Sequence, residues 1–166
     1  MTREDGYKYE WLDGFIEKST YSLNTKNLFI IANLQNIFFS SLESSKINEV
    51  LVSGGDTFFG KHHRRPDIAY YTDKQIADAA NDLDAVPLFV IEIISSKDQI
   101  IKVHHKMQDF RNAGVSIVWH IFPELKEVHV YTKKANQMKV LKGENFCSAE
   151  PVIKGFKISL DDIFKK

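Results

Sequence analysis

The run Leu88-Phe89-Val90-Ile91-Glu92-Ile93-Ile94, opened by Pro87, constrains the fold more than any other stretch of the chain. Side chains of an extended segment alternate between two faces, so a strand that is apolar at odd and even positions is covered on both sides. That requires a sheet with helices packed on each face, and it disfavours an open antiparallel sheet or a helix bundle. Glu92 is the one charge in the run. An ionised carboxylate there is costly unless it is paired or bound to a cation. Two explanations stay open at this point: a functional site, or a structural ion pair with a nearby Lys or Arg.

The flanking segments supply the rest of the architecture. Asp13-Gly14 divides Tyr7 to Glu17 into a hairpin, because both residues tolerate positive φ at the turn. Leu28, Ile31, Leu34, Phe38 and Leu42 recur at helical spacing and predict a long amphipathic helix over 25–42. Val50 to Val52 reads as a short strand that Gly54-Gly55 interrupts. Pro66-Asp67 leads into a strand over 68–71, and Thr72 with Gln75 has the spacing of a capping box for a helix through Ala80. Ser96 and Gln99 repeat that spacing; Ile100, Val103, Met107 and Phe110 then form the buried face of a helix that Gly114 ends. Strands over 115–122 and 128–131 form a hairpin about Pro123-Glu124, another lies near 138–141, and 156–164 runs from strand into a short helix that Ser159 caps. The fold class is α/β (α+β): a mixed sheet flanked by helices, with an N-terminal hairpin, in one domain over 1–166.

Charge and composition narrow the function. Lys+Arg and Asp+Glu are each 22, so the formal net charge is zero. A protein that coats nucleic acid without selectivity is visibly basic, so any nucleic-acid contact must depend on a local patch. Cys147 is the single cysteine, which forbids an intrachain disulfide and matches a reducing cytoplasm. The first ten residues lack the apolar core of a signal peptide, and no run approaches the ~20 apolar residues of a membrane span. The expected location is cytoplasmic, with no membrane partner. Neither G-x-G-x-x-G nor a P-loop nor G-x-S-x-G occurs, which argues against nucleotide-binding and serine-hydrolase sites.

Asp67 and Lys106 join Glu92 as candidates. Pro66 cannot donate to a sheet ladder and marks the start or edge of a strand. An Asp at the mouth of one strand and a Glu within a neighbouring one can bring two carboxylates to a single cation. Mg²⁺ is suited to such a pair, since it takes few protein oxygens and leaves the remainder to water and phosphate. A Pro-Asp dipeptide on its own more often caps a turn. Lys106 lies about 60° from Val103 around the helix, on the border of its buried face. From there its ammonium could reach Glu92 and stabilise charge on a phosphate, although a solvated Lys whose stem covers apolar surface is the commoner case. Lys61-His62-His63-Arg64-Arg65 reads as a solvated loop in preference to a phosphate contact. His62, His63, His104 and His105 would form a zinc site only by coincidence of the fold. Trp11 and Trp119 read as core or interface.

Five blocks carry a resemblance: Y-E-W-L-D-G at 9–14, R-P-D-I-A-Y-Y at 65–71, L-F-V-I-E-I-I-S at 88–95, K-M-Q-D-F-R-N-A-G-V-S-I-V-W-H-I-F-P-E at 106–124 and V-H-V-Y at 128–131. In order and spacing they resemble the Uma2 (DUF820) family of restriction-endonuclease-like proteins in the PD-(D/E)XK nuclease superfamily. The resemblance implies a Mg²⁺- or Mn²⁺-dependent endonuclease acting on nucleic acid, with DNA the expected substrate. It implies Asp67 as the motif's Asp and Glu92 as its second acid, both on the metal, and Glu10 as a further ligand or the group that positions one. The motif's usual lysine position is Ile94 here, and Lys106 on the following helix takes that role. Phe15, Lys102 and Phe122 stand where related sequences often carry acids. The alternative is a catalytically inactive nuclease-fold binding or regulatory protein, which neutral charge and the displaced lysine favour; a purely structural subunit is a third reading. A homodimer is expected because Val115 to Tyr131, rich in β-branched and aromatic residues, would leave an apolar edge or face to cover.

Overall fold

In the computed structural model, which describes residues 7–20, 25–41, 49–59, 62–96 and 98–166, the apolar run becomes an inner strand of a six-stranded sheet. Its members are β3 (Val50–Ser53), β6 (Ile68–Tyr71), β7 (Phe89–Ile93), β8 (Ile117–Phe122), β9 (Glu127–Thr132) and β10 (Gln137–Lys142), in the order β10-β9-β8-β7-β6-β3. β7 is antiparallel to β6 and parallel to β8. Parallel neighbours need a crossover, which α3 (Ile100–Asn112) supplies. The hairpin β1 (Tyr7–Leu12) and β2 (Phe15–Thr20) turns through Asp13 (φ 45°) and Gly14 (φ 90°), as a two-residue turn with positive φ at both positions requires. It joins β4 (Thr57–Phe59) and β5 (His62–Arg64) in a second sheet of order β2-β1-β5-β4. A small ribbon, β11 (Phe146–Ser148) with β12 (Lys157–Ser159), leads into α4 (Leu160–Phe164), whose first turn Ser159 caps by accepting from Asp162 N. The remaining helices are α1 (Leu28–Ser41) and α2 (Asp73–Ala80), the latter with the expected Thr72–Gln75 capping box.

The two faces of the large sheet differ. One face is apolar throughout: Ile68, Phe89, Ile91, Ile93, Ile117 and Trp119 pack with Ile30, Leu34 and Phe38 of α1 and with Ile163 of α4. Phe89 meets the edge of Trp119 at 4.8 Å between ring centroids, and Phe156 stacks on Trp119 at 5.8 Å. Each such fully buried side chain contributes about 1.5–3 kcal/mol, so this face is the main source of stability. The other face holds a smaller cluster, in which Ala69, Val90, Val118 and Tyr131 pack with Met107 and Phe110 of α3. The period of two makes Glu92, His120 and His129 the next residues on that face, and the pairs Glu92↔His120 and His120↔His129 set them in a row across the strands. Asp67 precedes the Ile68↔Ile91 pair by one residue, which brings it opposite Glu92.

Several expectations are corrected. The basic cluster is no solvated loop: residues 62–64 form β5 and Arg64 is 2 % exposed; Lys61 lies outside the described residues, as does Leu42 of the expected first helix. α3 starts at Ile100 without a Ser96–Gln99 capping box. Asp98 instead accepts from Ser95 N (2.6 Å) and Ser95 Oγ (3.0 Å), while Ser96 Oγ donates to Glu124 (2.9 Å). That local competition delays the helix, and Ile100 is left 76 % exposed, with Met107 and Phe110 the buried residues of α3. Strands β4 and β11 were not anticipated. Trp119 belongs to the core whereas Trp11 is half-exposed. Most of the apolar content of 115–131 is absorbed by the core, Leu125 at the turn being exposed, and the strand at the sheet's edge is β10. Among the described residues, no helix is long and apolar enough to cross a membrane.

Candidate functional site

The polar row on the α3 face opens into a small cleft of ≈ 80 Å³ between the two sheets. Lys8, Glu10, Glu92, Lys102, Lys106 and His120 are among its lining residues. The alternation of β1 sends Lys8 and Glu10 inward together, while β7 presents Glu92 and β8 presents His120. α3 lies over this row and lowers Lys106 onto it.

Lys106 is the hub. Its Nζ donates to Glu92 Oε2 at 2.8 Å and lies 2.7 Å from Oε1, 3.3 Å from Glu10 Oε1 and 3.3 Å from the Arg65 carbonyl to which it also donates. Both Glu92 oxygens thus face the Lys106 ammonium, Oε1 through a charge contact and Oε2 through the hydrogen bond. Glu10 accepts from Arg65 N at 2.8 Å and from Arg64 Nη1 at 2.9 Å. Arg64 also donates from Nε (2.8 Å) and Nη2 to Asp109 Oδ2 on α3, and from Nη1 to Glu17 (3.3 Å) on β2. This guanidinium therefore ties the small sheet to α3.

Protonation follows from the competition between burial and neighbours. Burial pushes the Glu92 carboxyl up to about 7; Lys106 opposes this and Asp67 adds to it. Burial acts against the Lys106 ammonium, but Glu92, Glu10 and Asp67 outweigh it and raise its pKa. Burial would raise Glu10 as well, yet Lys106, Lys8, the Arg65 N–H and Arg64 hold it at about 2. Burial, then Lys106 and His129, pushes His120 down to about 4, so its imidazole is neutral at pH 7.

Of the sequence-predicted residues, Glu10, Glu92 and Lys106 meet in the cleft. Asp67 is adjacent to Glu92 but does not line the cleft: its Oδ2 accepts from Ile93 N (2.8 Å) and its Oδ1 from Lys8 Nζ (3.5 Å). Lys102 is 44 % exposed and pairs with Glu17 at 2.7 Å. The four histidines do not assemble: His62 bridges Asp13 and Asp109, His63 pairs with Asp56, and His104 and His105 are exposed on α3. Sequence reasoning missed Lys8, Arg64, Asp109 and His120. Lys8 shares the parity of Glu10, and His120 would have been found by aligning it with Glu92 across β7 and β8, a register that the sequence alone does not provide.

Asp67 and Glu92, on adjacent strands, supply hard oxygens of the kind Mg²⁺ takes in ones or twos, and in this structure Lys106 faces the Glu92 oxygens at 2.7–2.8 Å while Ile93 N and Lys8 engage Asp67. Among the described residues no group of three or more His, Cys, Asp or Glu side chains is gathered as a preformed cage.

A mixed sheet with helices on both faces and a carboxylate–lysine pair at one edge of the covered face defines a protein of nuclease fold. A solved structure from Anabaena variabilis ATCC 29413, described as a "putative nuclease belonging to DUF820", is similar at a TM-score of 0.80 and 20% identity, over 94% of this chain and 89% of that one. The family model Uma2, described as "Putative restriction endonuclease", matches residues 1–161, and the chain belongs to that family. No curated protein matches it.

Proposed function

We propose that this protein is a Mg²⁺- or Mn²⁺-dependent endonuclease that hydrolyses phosphodiester bonds of nucleic acid, with DNA as substrate, in the cytoplasm. The observation that carries the reading is the Glu92–Lys106 contact: a carboxylate in a strand buried along its whole length, met at 2.7–2.8 Å by an ammonium from a different element. A metal held by Asp67 and Glu92, with Glu10 as a further ligand or its positioning group, would supply Lewis acidity toward the phosphate and a water acidified for attack. Lys106 offsets charge that builds on the phosphate oxygens and holds the Glu92 carboxylate in one orientation. Arg64 and Lys8 fix Glu10 and Asp67. With a net charge of zero, this local set of cations has to supply the attraction for the backbone.

The test is a nuclease assay of wild type and Asp67→Ala on a panel of DNAs and RNAs with Mg²⁺, Mn²⁺ or EDTA. Cleavage of DNA that needs the metal and is lost in the variant is the expected result. No cleavage of any substrate, together with no calorimetric binding of Mg²⁺ at millimolar concentration, would overturn the reading.

A second reading, a nuclease fold that binds without cutting, is favoured by Lys8, whose ammonium already faces Asp67 at 3.5 Å and Glu10 at 3.8 Å. Metal binding with intact affinity for DNA but no cleavage would select it. The chain is also proposed to form a homodimer, supported by the edge strand β10, where Met138 and Val140 are exposed. Sedimentation showing a monomer at high concentration would remove that part.

A further inference from the structure

The helix α2 has no buried residue, although its sequence is amphipathic. Helices of this length are held in water by packing an apolar face, so α2 lacks the contact that ordinarily sustains one. Beside it an open groove of ≈ 1050 Å³ runs along β3 and β4, lined by Val52, Ile76 and Leu83 and by Asp73, Asp82 and Asp84. No Lys or Arg is among the groove's described lining residues. The groove is thus lined by apolar and acidic side chains together.

The opposite edge of the same sheet has the complementary chemistry. Among the described residues β10 pairs only with β9, which leaves its outer backbone edge open. Met138 and Val140 alternate onto one exposed face, and Lys139 and Lys142 are exposed beside them, preceded by exposed Lys133 and Lys134.

We propose that the groove receives the β10 segment, 137–142, of a second copy of this chain. Met138 and Val140 would cover Val52, Ile76 and Leu83, while Lys142 on the same face of β10, and Lys139 from its opposite face at the groove's margin, would meet Asp73, Asp82 and Asp84. Groove and β10 are different surfaces, so a homodimer makes the contact twice, each copy seating the other's β10, and a contact made only once would go on adding copies. This inference rests on the self-association already proposed, and it specifies the surfaces.

The experiment is sedimentation velocity on the full chain in four samples: wild type, Asp73→Lys/Asp84→Lys, Lys139→Glu/Lys142→Glu, and an equimolar mixture of the two variants. Asp82 is kept, because its φ of 59° suits Asp better than a longer side chain. The wild type is expected to associate with concentration and to weaken as salt is added. Each variant alone should associate about tenfold more weakly or worse, and the mixture should recover, since each reversed surface finds its complement in the other protein. A misfolded variant would not recover on mixing, so recovery also certifies the fold. If association survives both reversals, or the mixture stays dissociated while circular dichroism shows both variants folded, the groove does not seat β10, yet the homodimer reading stands. If the wild type is monomeric throughout, both fail.

Discussion

At Glu92 burial and charge act in opposite directions, and Lys106 decides the result. Replacing Lys106 with Met keeps much of the apolar stem and removes the ammonium that contacts Glu92. At pH 8 the wild-type Glu92 carboxylate is ionised against Lys106, whereas in the variant it must stay buried without that partner or take up a proton, and the loss is expected to be about 3–5 kcal/mol. At pH 5 the Glu92 carboxyl is protonated in the folded chain, and the loss should shrink to what Glu10, still ionised, gives up when Lys106 is removed. Urea midpoints at the two pH values check this; equal losses would mean that Glu92 is not the partner that matters. Metal-dependent cleavage should fall by at least ~10²-fold in Lys106→Met. Lys102→Met, which removes a partly solvated ion pair with Glu17, should retain most activity. Wild-type rates in Lys106→Met would show that the site works without this lysine.

Elements were legible where one physical signal dominated. β7, the first hairpin, α1 and the α2 cap follow from apolar runs, a positive-φ turn and local hydrogen bonds, and each forms where the sequence places it. β5 was not legible, because His62-His63-Arg64 carries no apolar signal; it is a strand owing to Glu10, Glu17 and Asp109, residues distant in sequence that take up its buried arginine. The same limit applies to the site. Glu92 stood out as a charge in an apolar run, whereas His120 and Arg64 acquire meaning only through register and packing. Arg64→Met should therefore behave as a structural lesion that separates β1, β2 and α3, costing about 3–5 kcal/mol because several carboxylates lose a common partner. A shift of the urea midpoint below about 1 kcal/mol equivalent would deny Arg64 this tying role.

For the whole molecule the perturbed groups act on different parts of the pH scale. His120, ordinarily near 6.5 and held at about 4, binds fewer protons folded than unfolded, so its contribution is lost as pH falls from 6.5 towards 4. Glu92, raised from 4.5 to about 7, binds more protons when folded, so its contribution grows as pH falls from 7 to 4.5. These two nearly cancel between about pH 6.5 and 4.5. Below that, Glu10, held at about 2, loses its contribution as it is protonated between 4.5 and 2. Wild-type stability should be level from pH 7 to 4.5 and then drop. In His120→Leu the level region should become a rise of about 3 kcal/mol on acidification, since Glu92 then acts there unopposed. Chemical denaturation across pH 4–8 measures it, and parallel profiles for the two proteins would refute the burial argument for His120.

The unequal faces of the large sheet have a consequence for how such a chain is maintained by selection. Well-packed apolar residues in place of a buried ion pair are often neutral or stabilising by 1–4 kcal/mol. A double replacement such as Glu92→Leu with Lys106→Met would extend the Val90–Val118–Met107 cluster and is expected to fold at least as well as the natural chain. Each single step toward such a sequence leaves one buried charge without its partner at a cost of about 3–5 kcal/mol, so a population screened for folding alone reaches it only when the two changes arrive together.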